Sequence, residues 1–425
     1  MSKKNYNYDE EMESDDFYRI NEKAQKRKKT KRINIFKRIV LVMEIFISIA
    51  LVGAITLLLI PNAKAKLLKT PFGKYIVRFV LDESSYDKVH DGKFNRDNVN
   101  HNAGLNTEKM NDYTTLALFG IDARGSEFDN ITHSDSIIVV TINNKTSEVK
   151  MVSMYRDTYV RIVKPNGSIT YDKLTNAYFF GGVEGAINTL NTNYDLNIKD
   201  YAIVNFSGLA DVIDALGGIE VNLTKEEMNY VNGYLTETRK ITGKDTPNLR
   251  KYGDNIHLTG LQAVAYCRIR YTAFYDDNGN AIRNDYGRTA RQRNVINKLV
   301  GKAKEAGADK LLDIVDLIFK GQSTETTFRT SLSYETIIDM IPTLLGFEMV
   351  QEEGKGGFPY TYISTEINTS SVVCHRGLEY NVTKLHEYLY NDNDYKPTKM
   401  IQNIGNTLIK ITGYEEKKLP EDEDN

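Results

Sequence analysis

The chain has 425 residues, 41% hydrophobic and 26% charged, a globular composition long enough for two or three domains. A formal net charge of -2 removes any global case for a nucleic-acid partner. Its two cysteines, Cys267 and Cys374, have neither the spacing nor the neighbours of a metal site; they read as structural or free thiols, or as one disulfide in an oxidising compartment.

Residues 1–38 are polar and mixed in charge, and from Lys23 they carry the basic run K-A-Q-K-R-K-K-T-K-R followed by K-R. Residues 39–60 come next, apolar except for Glu44, Ser48 and Thr56. As a helix that stretch reaches about 33 Å, enough to cross a hydrocarbon core of about 30 Å. Basic residues beside a first span mark the cytoplasmic side. The expectation is a single-pass anchor in the cell membrane, with 1–38 as a cytoplasmic tail and everything after Pro61 outside. A cleaved signal peptide ending at Ala63-Lys64-Ala65 competes, but the apolar run and the segment before it are both too long. Residues 61–110 read as an extracellular stalk, amphipathic at first and then polar.

From Thr114 the pattern changes. T-T-L-A-L-F-G-I-D, S-D-S-I-I-V-V-T-I and E-V-K-M-V-S-M-Y-R-D predict three central strands of one sheet, with a hairpin turn at N-N-K-T. A helix over N-A-Y-F-F-G-G-V-E-G-A-I-N-T-L follows, then a strand at Y-A-I-V-N-F. The helix S-G-L-A-D-V-I-D-A-L closes at Gly217-Gly218 and leads to a strand at I-E-V-N-L. Residues 225–257 read as a polar excursion over the surface. L-T-G-L-Q-A-V-A-Y is helical, a long helix opens near Gly287, further helices fill 307–346, and 357–390 hold a strand or two and an amphipathic helix. Residues 393–425 read as a tail. The fold class expected over residues 111–392 is α/β: a central mixed, largely antiparallel sheet flanked by helices.

The long helix carries the densest chemistry. Val295, Ile296, Leu299, Val300 and Ala303 form one apolar stripe, which runs back through Arg288 and Gln292 with Arg291 at its edge. Guanidinium groups on a buried face need an anion. Arg268 and Arg270 stand two apart, so on an extended chain they face the same way. Asp122 and Arg124 follow the first strand, Asp135 opens the second, and Arg156 and Asp157 end the third. Neighbouring antiparallel strands bring these ends together. Two readings apply: structural salt bridges, or a hard-cation site in which carboxylates hold Mg²⁺ while arginines grip phosphate oxygens. Asn176 reads as a helix cap or a site residue, and so does Asp285. No phosphate-binding glycine loop or Ser-His-Asp set is present, which argues against a P-loop NTPase.

The motifs L-F-G-I-D-A-R, S-D-S-I-I-V-V, S-M-Y-R-D-T, K-L-T-N-A-Y-F-F-G-G, V-N-F-S-G-L-A-D-V-I-D-A-L-G-G-I-E-V, L-T-G-L-Q-A-V-A-Y-C-R-I-R and D-Y-G-R-T-A-R-Q-R occur in that order. Together, over about residues 112–392, they resemble the LytR-CpsA-Psr family of membrane-anchored enzymes. The resemblance implies a phosphotransferase that moves an anionic glycopolymer, such as teichoic acid or capsule, from undecaprenyl pyrophosphate to peptidoglycan. It implies an apolar tunnel for the prenyl chain with the pyrophosphate at its mouth. Carried over by position, Asp122, Asp135 and Arg156 are catalytic, and Asp122 and Asp135 hold Mg²⁺ (or Mn²⁺). Arg124, Arg156, Arg268, Arg270, Arg288, Arg291 and Gln292 bind the pyrophosphate. Two positions depart from the family pattern: His133 stands where Arg is usual, and Tyr155 where Pro is usual. A polyprenyl-pyrophosphate hydrolase and a non-enzymatic lipid-carrier scaffold are the alternative readings.

Overall fold

The computed structural model describes residues 89–413 except 93, 122–131, 277, 321–326, 352, 353 and 355. The basic tail and the apolar stretch at 39–60 lie outside the described residues, among which no helix is long and apolar enough to cross a membrane.

Strands β1 (Tyr113–Ile121), β2 (Ser134–Asn143) and β3 (Glu148–Met154) form an antiparallel meander where the sequence predicted it. Each strand is apolar on both faces, and the two-residue period sorts its side chains. Ala117, Phe119, Ile137, Val139, Val152 and Met154 join one core, while Leu116, Ile138, Val140, Val149 and Met151 join another. Both faces are therefore covered, and the domain has three layers.

A hairpin of β4 (Tyr159–Val163) and β5 (Ile169–Lys173) leads to α1 (Thr175–Tyr194), which is bent where Gly181 and Gly182 leave helical geometry. Strand β6 (Asp200–Val204) returns parallel to β1. Helix α2 (Phe206–Ala215) and strand β7 (Ile219–Leu223) follow as expected. The supposed surface excursion is instead α3 (Lys225–Thr242) and β8 (Gly253–Leu258), the latter paired with β7. The signal for α3 was present in T-K-E-E: Thr224 and Glu227 form a capping box, each satisfying the other's backbone N–H.

Helix α4 (Gly260–Cys267), a small hairpin of β9 (Phe274–Tyr275) and β10 (Ala281–Ile282), and the long α5 (Asn284–Lys320) come next. α5 is broken at Gly307, where φ is 77°. The remaining elements are β11 (Phe328–Thr330), α6 (Tyr334–Leu345), β12 (Glu348–Met349), β13 (Gly357–Phe358), the hairpin β14 (Tyr362–Ile367) with β15 (Ser370–His375), α7 (Leu378–Tyr390) and α8 (Lys399–Thr412). The central sheet runs β11-β6-β1-β2-β3-β12, with β13 also on β3. It is mixed: the meander and β11 pair antiparallel, whereas β6, β12 and β13 join parallel.

Two boundaries move. Within the supposed stalk, Val89, Val99 and Met110 are buried, and Asp91 donates its backbone N–H to Thr330. Within the supposed C-terminal tail, Ile401, Ile404 and Leu408 of α8 enter the main core. Asp195, fully buried, accepts hydrogen bonds from the Thr398 backbone and hydroxyl at 2.8 and 2.9 Å, which ties that helix down. The stalk's anchors Val89, Val99 and Met110 are few and far apart in a polar stretch, whereas Ile401, Ile404 and Leu408 follow the spacing of an amphipathic helix.

Candidate active site

Between the sheet and helices α2, α4 and α5 lies a cavity of about 470 Å³. Its apolar walls include Leu118, Ile138, Ile203, Leu209, Val212, Val264 and Val295. The walls close because α4 starts against α2: a Cβ on Gly260 would stand 2.1 Å from the Ala210 carbonyl oxygen, so only glycine allows this approach. Asp135, Arg270, Arg288 and Gln292 also line the cavity, near the edge where β1 ends and β2 begins.

Asp285 is the hub of that edge. It sits in the first turn of α5 and takes Arg288 at 2.9 Å, Arg270 at 3.6 Å and Arg156 at 3.9 Å. Of its two predicted roles the structure shows the place in the site; Asp285 lies inside the helix, which begins at Asn284, rather than at its cap. Arg156 pairs with Asp135, and Arg288 donates to the Asp135 carbonyl at 3.1 Å. Lys173 holds Asp157 at 3.2 Å beside them. Four separate segments thus converge: the start of β2, the end of β3, the loop after α4 and the first turns of α5.

Among the described residues the cluster sets four cations (Arg156, Lys173, Arg270, Arg288) against three carboxylates (Asp135, Asp157, Asp285), an excess of one positive charge. Burial pushes the Arg288 guanidinium down to about 10; Asp285 opposes this, and the nearby cations Arg156 and Arg270 add to it. Arg156 Nε, Arg288 Nε and Gln292 Oε1 are buried without a hydrogen-bond partner. Buried polar atoms of this kind are costly unless a ligand meets them. The arrangement suits an amphiphile whose chain lies in the cavity and whose anionic head meets the arginines.

Several predicted site residues have other roles. Arg291 is fully buried and turns away from the cavity. It donates to Glu227 Oε1 at 2.8 and 3.1 Å and to the Thr272 and Ala273 carbonyls at 3.2 and 2.8 Å. It is a structural tie, because one 100° step along the helix separates it from Gln292 and points it into α3 instead. Arg268 lines the cavity but is already paired with Glu237 at 2.7 Å and Thr238 at 2.9 Å, and it stacks on Phe206 and Tyr234. It caps α4 with helical φ/ψ, so the chain is not extended there, yet it and Arg270 line the same cavity as expected. Asn176 does not cap α1, whose N-cap is Leu174. Cys267 and Cys374 are both free, buried and in different cores. Asp122 and Arg124 lie outside the described residues.

Neither departure from the family pattern disturbs the cluster. Tyr155 packs its ring on Tyr286 at 4.6 Å and Tyr362 at 5.7 Å, and its hydroxyl fits against Gly357, where a Cβ would stand 2.2 Å away. Arg156 beside it still reaches Asp135. His133 is exposed and stacks on Phe179, with ring centres 5.2 Å apart.

Among the described residues no group of three or more His, Cys, Asp or Glu gathers as a metal cage. Asp135 offers one oxygen, Oδ2, to which no described residue donates a hydrogen bond. One carboxylate oxygen beside excess positive charge fits a hard cation that arrives with the oxygens of a bound diphosphate, rather than one held by the protein alone.

Fold and site together define an α/β protein built around an apolar cavity with an arginine-rich rim. The chain belongs to the LytR_cpsA_psr family, whose model matches residues 77–366. The polyisoprenyl-teichoic acid–peptidoglycan teichoic acid transferase TagU of Bacillus cereus (strain AH820) is 32% identical over 249 residues, which cover 58% of this chain and 69% of that one. The crystal structure of a transcriptional regulator (EF0465) from Enterococcus faecalis matches with a TM-score of 0.51 at 26% identity, covering 73% of this chain and 98% of that one. Protein gbs0355 from Streptococcus agalactiae shares the fold at a TM-score of 0.51 and 23% identity, over 75% of this chain and 96% of that one.

Proposed function

We propose that this chain is a membrane-anchored transferase that moves an anionic glycopolymer from a polyprenyl pyrophosphate carrier to peptidoglycan. The observation that carries this reading is the apolar cavity whose rim holds Arg270, Arg288, Gln292 and Asp135. The teichoic acid transferase name of the Bacillus cereus relative supports the donor and acceptor classes. In the reaction a hydroxyl of the wall glycan attacks the polymer-side phosphorus and gives up its proton to solvent, the bond to the bridging oxygen breaks, and polyprenyl phosphate leaves with that oxygen. Arg156, Arg270 and Arg288 stabilise the charge that develops on the phosphate oxygens. Asp285 and Asp135 fix the directions of those guanidiniums. Asp135 and Asp122 would hold Mg²⁺, which would supply further neutralisation of phosphate charge.

The apolar stretch at 39–60, with its basic flank, supports a single-pass anchor with the catalytic domain outside the cell. From that side of the membrane the domain has no route to DNA.

The test uses full-length protein in detergent with Mg²⁺, a lipid-pyrophosphate glycan and peptidoglycan oligomers. Release of polyprenyl phosphate together with a glycan–peptidoglycan conjugate is expected. Free phosphorylated glycan as the sole product would make the protein a hydrolase. Lipid binding that is unchanged by Asp135→Asn, with no turnover, would make it a carrier-binding scaffold.

A further inference from the structure

Arg293 closes the D-Y-G-R-T-A-R-Q-R motif, and nothing in the site above uses it. It is 8% exposed, and its Nε and Nη1 have no hydrogen-bond partner. Burial lowers its proton affinity, partly offset by Tyr155 and Tyr388, yet a guanidinium stays charged in any protein environment. A buried cation with unmet donors is costly unless an anion reaches it.

Arg293 borders a second cavity, of about 510 Å³, that shares no lining residue with the first. The two lie on different faces of α5: Arg288, Gln292 and Val295 face one, while Tyr286, Ala290, Arg293 and Asn297 face the other. The second is lined mainly by polar and aromatic groups, among them Tyr155, Asn294 and Gln351. Asn297 donates its amide N–H to Gln351 at 3.1 Å, and its buried Oδ1 is left without a partner. The cavity thus presents an unmet cationic donor and an unmet neutral acceptor, with tyrosine rings alongside.

We propose that this second cavity is a binding site for an anionic saccharide, whose carboxylate or phosphate meets Arg293 and whose hydroxyl donates to Asn297 Oδ1. An apolar ligand would leave both groups unmet, and a bare inorganic anion would satisfy only one. Aromatic faces and side-chain amides suit the alternating C–H and O–H surface of a sugar ring. Two of its lining residues are chain neighbours of first-site residues: Tyr155 precedes Arg156, and Tyr286 follows Asp285. A saccharide held here would lie next to the arginine cluster from the side away from the lipid cavity. The claim concerns binding and stands whether or not the transfer reaction is correct.

The experiment is isothermal titration of the full-length protein in detergent with three probes: N-acetylmuramic acid, glucose 1-phosphate and neutral N-acetylglucosamine. Saturable binding of at least one acidic sugar is expected, weakened about tenfold or more by Arg293→Gln, which corresponds to roughly 1.4 kcal/mol. Preference for the carboxylate probe assigns the site to the wall glycan, and preference for the phosphate probe to the transferred polymer. Asn297→Leu should weaken the same probe and gives a second reading should Arg293→Gln not fold. Binding of a prenyl pyrophosphate in the first cavity should persist in both variants and serves as the check on folding. Equal affinity for the neutral sugar, no saturable binding of either acidic probe, or full affinity in a folded Arg293→Gln protein would each overturn the proposal.

Discussion

Arg291→Met separates a structural arginine from the ligand-binding ones. The side chain is 0% exposed and its partner Glu227 is 4% exposed, so the pair has essentially no solvent to screen it. Arg291 also ties down the carbonyls of Thr272 and Ala273, in the loop that leads from Arg270 to the β9–β10 hairpin. Methionine fills similar space but leaves the carboxylate without its cation and removes the donor to three carbonyls, those of Ile269, Thr272 and Ala273. Glu227 keeps its hydrogen bonds from Thr224, which limits the damage at Oε2 but not at Oε1. Breaking one side of a buried pair costs about 3–5 kcal/mol. At roughly 2–4 °C per kcal/mol for a domain of this order, the melting temperature should fall by on the order of 10 °C. Differential scanning calorimetry of wild type, Arg291→Met, and the double variant Arg291→Met/Glu227→Gln is the assay. The double variant should recover part of the loss, since neither charge is then stranded, and the folded single variant should bind prenyl pyrophosphate as wild type does. A normal melting temperature combined with lost pyrophosphate binding would refute the reasoning and return Arg291 to the binding site.

Other outcomes follow from the same geometry. Arg270→Ala removes one charge-assisted contact and should weaken binding of a prenyl pyrophosphate by about 10- to 150-fold, the equivalent of roughly 1.5–3 kcal/mol, with the fold intact; unchanged affinity by titration removes Arg270 from the site. Asp135→Asn should reduce the Mg²⁺ dependence of diphosphate binding, and an identical Mg²⁺ titration in the variant would contradict its role. Burial holds His375 at about 3 and His386 at about 4, against about 6.5 in the unfolded chain. Both folded values are lowered, so the unfolded chain takes up protons first. Their stability contribution is complete above pH 6.5 and is lost as pH falls toward 4, by about 2 kcal/mol for each ring at pH 5. Urea midpoints at pH 7 and pH 5 test this: the drop should shrink in His375→Phe/His386→Phe, and an equally steep drop there is the negative result. Burial pushes the Cys267 thiol up to about 12 and the Cys374 thiol to about 11, so both should resist alkylation in the native protein and both should react once it is denatured without reductant. Recovery of a disulfide-linked peptide by mass spectrometry would contradict this.

Much of the frame was legible because it rests on local periodicity. Nearly continuous apolar runs located β1, β2 and β3, and their order as hairpin neighbours brought Asp135 and Arg156 to one edge. The stripe through Val295 and Ile296 correctly placed Arg288 and Gln292 on the cavity side. Other features had only weak local signals. The capping box at Thr224 stands within a polar stretch, where hydrophobic periodicity gives little sign of the helix that supplies Glu227 and Glu237.

What the linear sequence determined was therefore the set of charged groups and the faces on which most of them stand. What only the tertiary structure decided was their partners. Arg288, Arg291, Gln292 and Arg293 occupy consecutive turns of one helix, yet they meet Asp285, Glu227, the first cavity and the second cavity respectively. A helix rotates each side chain by about 100° from the last, so neighbours in sequence point at different elements. Which element waits there depends on packing between segments tens of residues apart, such as α3 against α5. Asp285 shows the same division: its place in the first helical turn was local, and its three arginines were assembled only by the fold.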